Sequence, residues 1–159
     1  MEDRLVEVEH RALFSELVRL ETELWNAVDL RLRREHALPL SWYEPMQVME
    51  RTPACRVHDI ADELVITVGG TSKLVDRIES AGLCERTPNP ADRRSSVIEL
   101  TESGAALLAE ATRSVDDELD RRFGHVSAIG LGRLHDTLRS LREVSRALDD
   151  DNEKEAARA

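Results

Sequence analysis

The most constraining feature of this sequence is a change of apolar period within residues 57–100. Two stretches, 57–65 and 67–81, have the apolar spacing of short helices, and Thr67 is placed to cap the second one. Few residues separate the two helices, and Gly82 stands where a glycine commonly ends a helix. We therefore expect a tight helix-turn-helix whose second helix turns these residues inward: Val68, Thr71, Leu74, Val75 and Ile78.

A β-hairpin is expected directly after the second helix. Two short β-like runs, 83–87 and 96–100, flank a turn-rich segment at 88–95 that carries the basic pair Arg93-Arg94. A helix-turn-helix followed by a hairpin is a winged helix-turn-helix. In this module the second helix fits the width of the major groove of DNA, and the hairpin tip reaches the adjacent minor groove.

Two helices are expected before this module. Residues 5–36 carry apolar side chains at helical spacing, and Pro39 breaks that helix. The next helix should begin with Ser41 as its N-cap, Glu44 as the capping-box partner and Pro45 in the first turn. It should run to about residue 51 and bury Met46, Val48 and Met49.

Two more helices are expected after the hairpin. Thr101 is placed to cap one that runs to about residue 122, and Ser127 to cap the last one. Residues 149–159 are charged and lack an apolar face, which predicts a disordered tail.

The predicted fold is mainly α, a winged helix-turn-helix with a small β-hairpin wing and long terminal helices that form a dimerisation domain. The expected divisions are 1–40 and 102–148 for dimerisation, 41–101 for DNA binding, and 149–159 for the tail.

The composition excludes several classes of protein. The 159 residues are 41% hydrophobic and 34% charged, as in a soluble globular protein, and no run predicts a membrane span or a signal peptide. Cys55 and Cys84 are too few for a disulfide framework, so we expect a cytoplasmic protein whose thiols are buried, with a redox switch as the alternative. The five histidines show no close metal-ligand spacing, and no catalytic constellation is present. We expect no metal, no cofactor and no enzyme.

The sequence resembles the MarR-type transcriptional regulators. The resemblance rests on Asp59-Ile60-Ala61-Asp62-Glu63-Leu64, on Thr71-Ser72-Lys73-Leu74-Val75-Asp76-Arg77-Ile78-Glu79, on Gly82-Leu83-Cys84-Glu85-Arg86, on Asp92-Arg93-Arg94 and on Leu100-Thr101-Glu102-Ser103-Gly104. It implies a triangular homodimer, in which the first and last helices of two chains interlock, and a pseudo-palindromic operator. It also implies that a small molecule often releases the DNA.

The resemblance also implies roles for single residues. Asp92 buttresses the wing and Arg94 enters the minor groove, with Arg93 as a possible substitute. Where many relatives have a Ser-Thr pair, this chain has Gly69-Gly70, so base contacts are expected further along the recognition helix and from the wing. The predicted DNA-binding residues are Thr67, Gly70, Thr71, Ser72, Lys73, Arg77, Arg86, Asp92, Arg93 and Arg94. For Lys73 and Arg77 the alternative is a surface salt bridge with Asp76 or another carboxylate.

The terminal helices carry more apolar surface than a small winged domain can cover, which favours a homodimer. Some of these leucines are expected to pack within their own chain. The predicted interface residues are Leu13, Leu17, Leu131, Leu134, Leu138 and Leu141. A pocket for an aromatic ligand is one interpretation of the large side chains near the expected junction, and core packing is the other: Trp25, Trp42, Tyr43 and Met46.

The net charge of −10 alone argues against nonspecific coating of nucleic acid. The excess acid lies mostly outside the winged module, since residues 51–101 carry 7 basic and 8 acidic side chains. The leading hypothesis is a ligand-responsive dimeric regulator, most simply a repressor. The alternative is a winged-helix adaptor that binds protein.

Overall fold

The structure, a computed structural model, describes residues 9–89 and 95–156. Its described elements are six helices and one antiparallel hairpin: α1 (His10–His36), α2 (Leu40–Arg51), α3 (Val57–Leu64), α4 (Val68–Ser80), β1 (Cys84–Pro88), β2 (Ser96–Leu100), α5 (Glu102–Phe123) and α6 (Ala128–Ala156). The predicted class, mainly α with a winged helix-turn-helix, is confirmed. Within these residues no helix is both long and apolar enough to cross a membrane.

The chain forms two compact units, Met1–Glu118 and Leu119–Ala159. The first unit contains α1 to β2 and most of α5, so it extends beyond the segment 41–101 expected to bind DNA. Its core is built from aliphatic side chains, and those predicted for α2 are buried as expected. The most deeply buried of them include Leu32, Leu38, Met46, Val48, Ile60, Val75, Ile78, Ile98 and Leu108.

The start of α2 differs from the prediction. The helix begins at Leu40, with Pro39 in the N-cap position, so Ser41 and Glu44 form no capping box. The Leu40 amide instead donates to Asp29 Oδ1 on α1 at 2.8 Å. Burial opposes the ionisation of Asp29, but hydrogen bonds from Arg33 and from the Leu40 amide hold its pKa below the usual value. A partner eleven residues away has replaced the local cap.

Pro45 was expected in the first turn of α2. It is the sixth residue of that helix and therefore lies beyond the first turn. The reason is the earlier start of the helix, two residues before the start that Ser41 would have given. Proline has no amide hydrogen, so the hydrogen bond from residue 45 to the carbonyl of Ser41 is missing. The proline ring is buried in the core, where it contributes apolar packing.

The second helix of the helix-turn-helix, α4, is capped at both ends by the residues that the sequence indicates. Thr67 caps α4 by accepting from the Gly70 amide at 3.2 Å, and Gly82 follows the helix with a φ of 74°. The Gly82 amide donates to the Glu79 carbonyl and the Leu83 amide to the Ile78 carbonyl, which is a Schellman motif. The prediction that Val68 faces inward is wrong. Its side chain is 41% exposed, because it is the first residue of α4.

The hairpin is tied to the rest of the first unit at several points. Its register pairs Cys84 with Leu100 and Pro88 with Ser96. The first strand begins and ends one residue later than the predicted 83–87. The Ile98 amide donates to the Cys55 carbonyl at 2.7 Å, which fastens β2 to the segment that enters α3. Thr101 caps α5 as predicted, since its hydroxyl accepts from the Gly104 amide at 3.0 Å.

The second unit consists of the end of α5 and all of α6. Ser127 caps α6 by accepting from the Gly130 amide at 3.1 Å, as predicted. The helix runs on to Ala156, past residue 149, where the sequence predicted that a frayed or disordered tail begins. Glutamate, lysine and alanine are good helix formers, and they extend α6 without an apolar face.

Candidate nucleic-acid interface

One face of α4 is buried and the opposite face is open. Thr71, Val75 and Ile78 pack into the core, whereas Lys73 and Arg77 are exposed. Gly69, Lys73 and Arg77 recur at four-residue spacing, so they form a stripe on the outer face of the helix. We call this set the outer stripe. It is the face of a helix-turn-helix that can enter a DNA groove.

The two cations of the outer stripe are not engaged in ion pairs with any residue that the structure describes. Asp76, the carboxylate considered as their alternative partner, lies 2.7 Å from a guanidinium nitrogen of Arg86 instead. Lys73 and Arg77 therefore present charge to the solvent. This arrangement favours an anionic partner over a surface salt bridge.

Thr71 does not belong to the outer face. Its side chain is fully buried, and its hydroxyl donates to the Thr67 carbonyl at 2.9 Å. The inward orientation predicted for Thr71 is confirmed, and its predicted DNA contact does not fit this burial. Its helical position, three residues after Val68 and four before Val75, places it on the core side.

Arg86 joins the wing to α4. Its guanidinium pairs with Asp76 and Glu79 and donates to the Ser72 carbonyl at 3.3 Å. Its own amide also donates to a Glu79 carboxylate oxygen at 3.0 Å. With a side chain only 22% exposed, Arg86 holds β1 against α4, an arrangement that does not favour the predicted contact with DNA. Both carboxylates, Asp76 and Glu79, belong to α4, whereas Arg86 belongs to β1, so no spacing within one element indicated this pairing.

The predicted wing-tip residues Asp92, Arg93 and Arg94 lie outside the described residues. Immediately before and after that segment, Asn89 and Ser95 close the hairpin. The Asn89 amide donates to the Ser95 carbonyl at 3.1 Å, and the Asn89 side-chain amide donates to the Ser95 hydroxyl at 2.9 Å. The strands that carry the wing are therefore paired up to its base.

The two cysteines are buried, as predicted. Burial is the main cause that raises the pKa of each thiol to about 11, and neighbouring carboxylates add to it, Asp59 for Cys55 and Glu79 for Cys84. At neutral pH both therefore remain protonated thiols, which are poor nucleophiles. This environment favours the structural interpretation over the redox switch.

The four residues of the predicted ligand pocket are divided between core and surface. Tyr43 and Met46 are buried, and the Tyr43 hydroxyl is held by Gln47 at 2.8 Å and by Thr112 at 3.3 Å. Trp25 is exposed and lines a shallow surface depression with Glu21 and Thr22. Core packing thus accounts for Tyr43 and Met46, and Trp25 is the member that solvent or a partner can reach.

A polar cluster at the junction of α1 and α5 had no counterpart in the sequence prediction. Arg31 contacts Glu35 and Asp117 at 3.2 Å each and Glu118 at 3.6 Å, and His36 Nε2 lies 2.8 Å from the Ser114 hydroxyl. Residues 78 or more positions apart meet here, so no local spacing could have indicated the cluster. It fixes α1 to α5 within the first unit.

Several predicted interface leucines are exposed in the single chain. In the first unit, Leu13 is exposed and Leu17 is half-buried. In the second unit, Leu131 is half-buried, and the other three predicted leucines of α6 are exposed: Leu134, Leu138 and Leu141. These apolar side chains are available to a second chain.

The sequence matches a known family model. Residues 46–96, from α2 to the start of β2, match the model described as MarR family. The chain is 34% identical over 60 residues to the multiple antibiotic resistance protein MarR of Escherichia coli, a stretch that covers 38% of this chain and 42% of that protein. The matched stretches span 60% and 42% of the lengths of two curated relatives, so the chain is matched to only part of each.

Solved structures resemble the chain over most of its length. CouR from Rhodococcus jostii RHA1, solved with p-coumaroyl-CoA, is 28% identical with a TM-score of 0.72 over 79% of this chain and 87% of that one. CouR bound to a 23-mer DNA duplex, described as a transcriptional repressor, has a TM-score of 0.74, 25% identity and coverage of 86% and 99%. Sco3205 of Streptomyces coelicolor in complex with DNA shares the fold, with a TM-score of 0.78, 22% identity and coverage of 88% and 90%.

Proposed function

Because this chain belongs to the MarR family of winged-helix transcriptional regulators, we propose that it binds a pseudo-palindromic DNA operator as a homodimer and represses transcription. Its α4 enters the major groove, and the wing tip, with Arg94 and Asp92, reaches the adjacent minor groove. The proposal agrees with the expectation that the protein is a regulator and not an enzyme.

The observation that carries this proposal is the outer stripe of α4. Lys73 and Arg77 are exposed, unpaired among the described residues, and set on the face opposite the buried Thr71, Val75 and Ile78. The Thr67 cap and the Schellman motif at Gly82 fix both ends of the helix, so the backbone positions that carry the two cations are fixed. Neighbouring phosphates on a duplex are the partner that such fixed cations fit.

The decisive experiment has two steps. Bound fragments are first selected from random duplex DNA with the purified protein, and a recovered palindrome defines the operator. Binding to that operator is then measured by mobility shift for the Lys73→Ala and Arg94→Ala variants. We expect the loss of Lys73 to weaken binding about equally on all sequences, and the loss of Arg94 to weaken or abolish it while the dimer stays intact.

Arg113→Ala provides the matched control, because Arg113 is an exposed cation on α5, which belongs neither to the helix-turn-helix nor to the wing. This variant should bind the operator as the parent protein does. Unchanged binding by Arg94→Ala would contradict the role of the wing. Failure to recover any preferred duplex would contradict the proposed function as a whole.

We also propose that a small molecule releases the DNA. The support is the likeness to CouR, whose structure contains p-coumaroyl-CoA, and the exposed Trp25 at a surface depression of α1. Thermal-shift screening of aromatic acids and their thioesters tests this idea, since a ligand that binds the folded state raises the melting temperature. A hit that leaves operator binding unchanged would argue against release.

The acidic balance favours one alternative, an adaptor that binds protein. The net charge of −10 opposes nonspecific contact with DNA. An adaptor should tolerate the loss of Lys73 and Arg94, whereas a DNA-binding regulator should not. The mobility-shift series therefore separates the two functions.

A further inference from the structure

Two carboxylates stand on the helix that the proposed function places in the major groove. Asp76 and Glu79 are three residues apart on α4, and Ser72 precedes Asp76 by one turn, so the three share one face of the helix. That face adjoins the outer stripe, since Lys73 lies three residues before Asp76. Phosphates repel carboxylates, so acidic residues at this place weaken DNA binding unless their charge is compensated.

Arg86 compensates both carboxylates from the neighbouring strand. Its guanidinium lies 2.7 Å from Asp76 Oδ1, pairs with Glu79 as well, and donates to the Ser72 carbonyl at 3.3 Å. One cation of β1 therefore spans two turns of α4. The side chain of Arg86 is 22% exposed, that of Asp76 59% and that of Glu79 35%, so the carboxylates are the more accessible part of this cluster.

Asp76 has a choice between two cations. Lys73 precedes it on α4 at a spacing that allows an ion pair, and Arg86 reaches it from β1. In the structure Arg86 is the partner, and Lys73 forms no ion pair with any residue that the structure describes. Without Arg86, the Asp76 carboxylate would be left with Lys73 at helical pairing distance. The partner that Asp76 takes therefore decides whether Lys73 is available to a phosphate.

We propose that Arg86 is a positioning residue for DNA binding, which holds the carboxylates of Asp76 and Glu79 and thereby keeps Lys73 free for a phosphate. This inference rests on the proposed function. It gives Arg86 a role in binding without a contact to DNA, in agreement with its low exposure. A cation is needed at residue 86 because of the carboxylates beside it.

The first test measures the affinity of charge variants for the palindrome recovered by selection. Arg86→Met should weaken binding about tenfold, because two uncompensated carboxylates then face the duplex. The triple variant that adds Asp76→Asn and Glu79→Gln should recover most of this loss, although no cation returns. Glutamine at residue 79 keeps an oxygen that can accept from the backbone amide of residue 86, so this link between β1 and α4 is retained.

Lys73 provides a second readout, which a purely structural role of Arg86 would not change. In the parent protein, Lys73→Ala should weaken binding about fivefold. In the Arg86→Met background the same change should cost about twofold at most, because Lys73 is then already paired with Asp76. Adding Asp76→Asn to that background should make the effect of Lys73→Ala large again.

Two further variants separate charge from stability. Arg86→Lys keeps the charge but lacks the planar fork that reaches several acceptors, so it should melt at a lower temperature than the parent and keep most of the operator affinity. Arg31→Met is the matched control, because Arg31 also pairs with several carboxylates and is only 17% exposed, but at the junction of α1 and α5. It should lower the melting temperature as Arg86→Met does and leave operator binding unchanged.

Three results would overturn the inference. The triple variant could bind as weakly as Arg86→Met, which would show that Arg86 acts by fastening β1 or by touching DNA. Arg86→Met could bind as the parent does, or Lys73→Ala could have the same effect in every background. Failure to select any operator is a different result, which contradicts the proposed function itself.

Discussion

Val65 carries backbone strain at the turn of the helix-turn-helix. It follows α3 with a φ of 55°, and its side chain is 76% exposed. A left-handed conformation is unfavourable for an L-residue, and more so for a β-branched one, whereas asparagine adopts it readily. The strain therefore lies in a residue that contributes little burial.

We expect Val65→Asn to stabilise the protein by about 1 kcal/mol, because the strain is relieved and little apolar burial is lost. Urea unfolding measures the change. Val126→Asn, at an exposed valine without a positive φ, should give no such gain. Equal effects of the two variants would show that the turn is not strained.

Arg86 offers a second prediction at this scale. Arg86→Met should lower the free energy of unfolding by about 1–2 kcal/mol, because Asp76 and Glu79 lose a common partner and remain close to each other. Lys73→Met should leave the stability unchanged and reduce DNA binding. If Arg86→Met left the stability unchanged while weakening binding, Arg86 would be a direct DNA contact after all.

Among the elements, the wing contains an unfavourable pair. Glu85 and Glu99 lie directly opposite each other in the hairpin register, and both side chains are exposed. Like charges at opposed positions of an antiparallel pair are destabilising. The effect is local, because neither residue is part of the core.

We expect Glu99→Gln to stabilise the protein by a few tenths of a kcal/mol and Glu99→Lys by about 0.5–1 kcal/mol, since lysine adds attraction to the removal of repulsion. The gain should shrink in high salt. Thermal unfolding at low and high ionic strength measures both trends. A gain that does not depend on salt would point to strand propensity as the cause.

The junction of α1 and α5 predicts a response to acid. Hydrogen bonds from Arg34, then from Ser114 and Arg31, lower the pKa of Glu35 from its ordinary value of 4.5 to about 2. A lowered folded-state pKa stabilises the protein above the ordinary value, and this stabilisation is lost as the pH falls from 4.5 toward 2. Glu35→Gln should therefore reduce the melting temperature at pH 6 and flatten its decline between pH 4.5 and 2.5. A parallel decline in both proteins would exclude Glu35 as the cause.

Local signals in the sequence predicted the elements well. The caps Thr67, Thr101 and Ser127 and the ending glycine at residue 82 act over four residues or fewer, and all four are confirmed. The start of α2 was missed because its cap, Asp29, belongs to another helix. For the same reason, the sequence did not indicate that Arg86 pairs with Asp76 and Glu79, because the two carboxylates belong to another element.

For the molecule as a whole, the apolar side chains of α6 lead to a prediction about assembly. Leu138→Glu should shift the protein from dimer to monomer, because it places a charge on a face proposed to be covered by a second chain. Light scattering measures the mass, and Arg139→Glu, a neighbouring exposed position, is the control. Equal masses for the parent and Leu138→Glu would contradict this interface, and operator affinity should fall along with the dimer.

The hydrogen bond from Ile98 to Cys55 has a consequence for the DNA. Together with Arg86, it fastens the strands of the hairpin on two sides, to the entry of α3 and to α4, so β1, β2 and α4 move as one body. In the proposed complex, the separation between α4 and the base of the wing is then set before binding. A duplex must meet it with its own helical repeat, and sequences that resist torsion require more energy to do so. Base pairs that the protein never touches should therefore influence which operators it prefers.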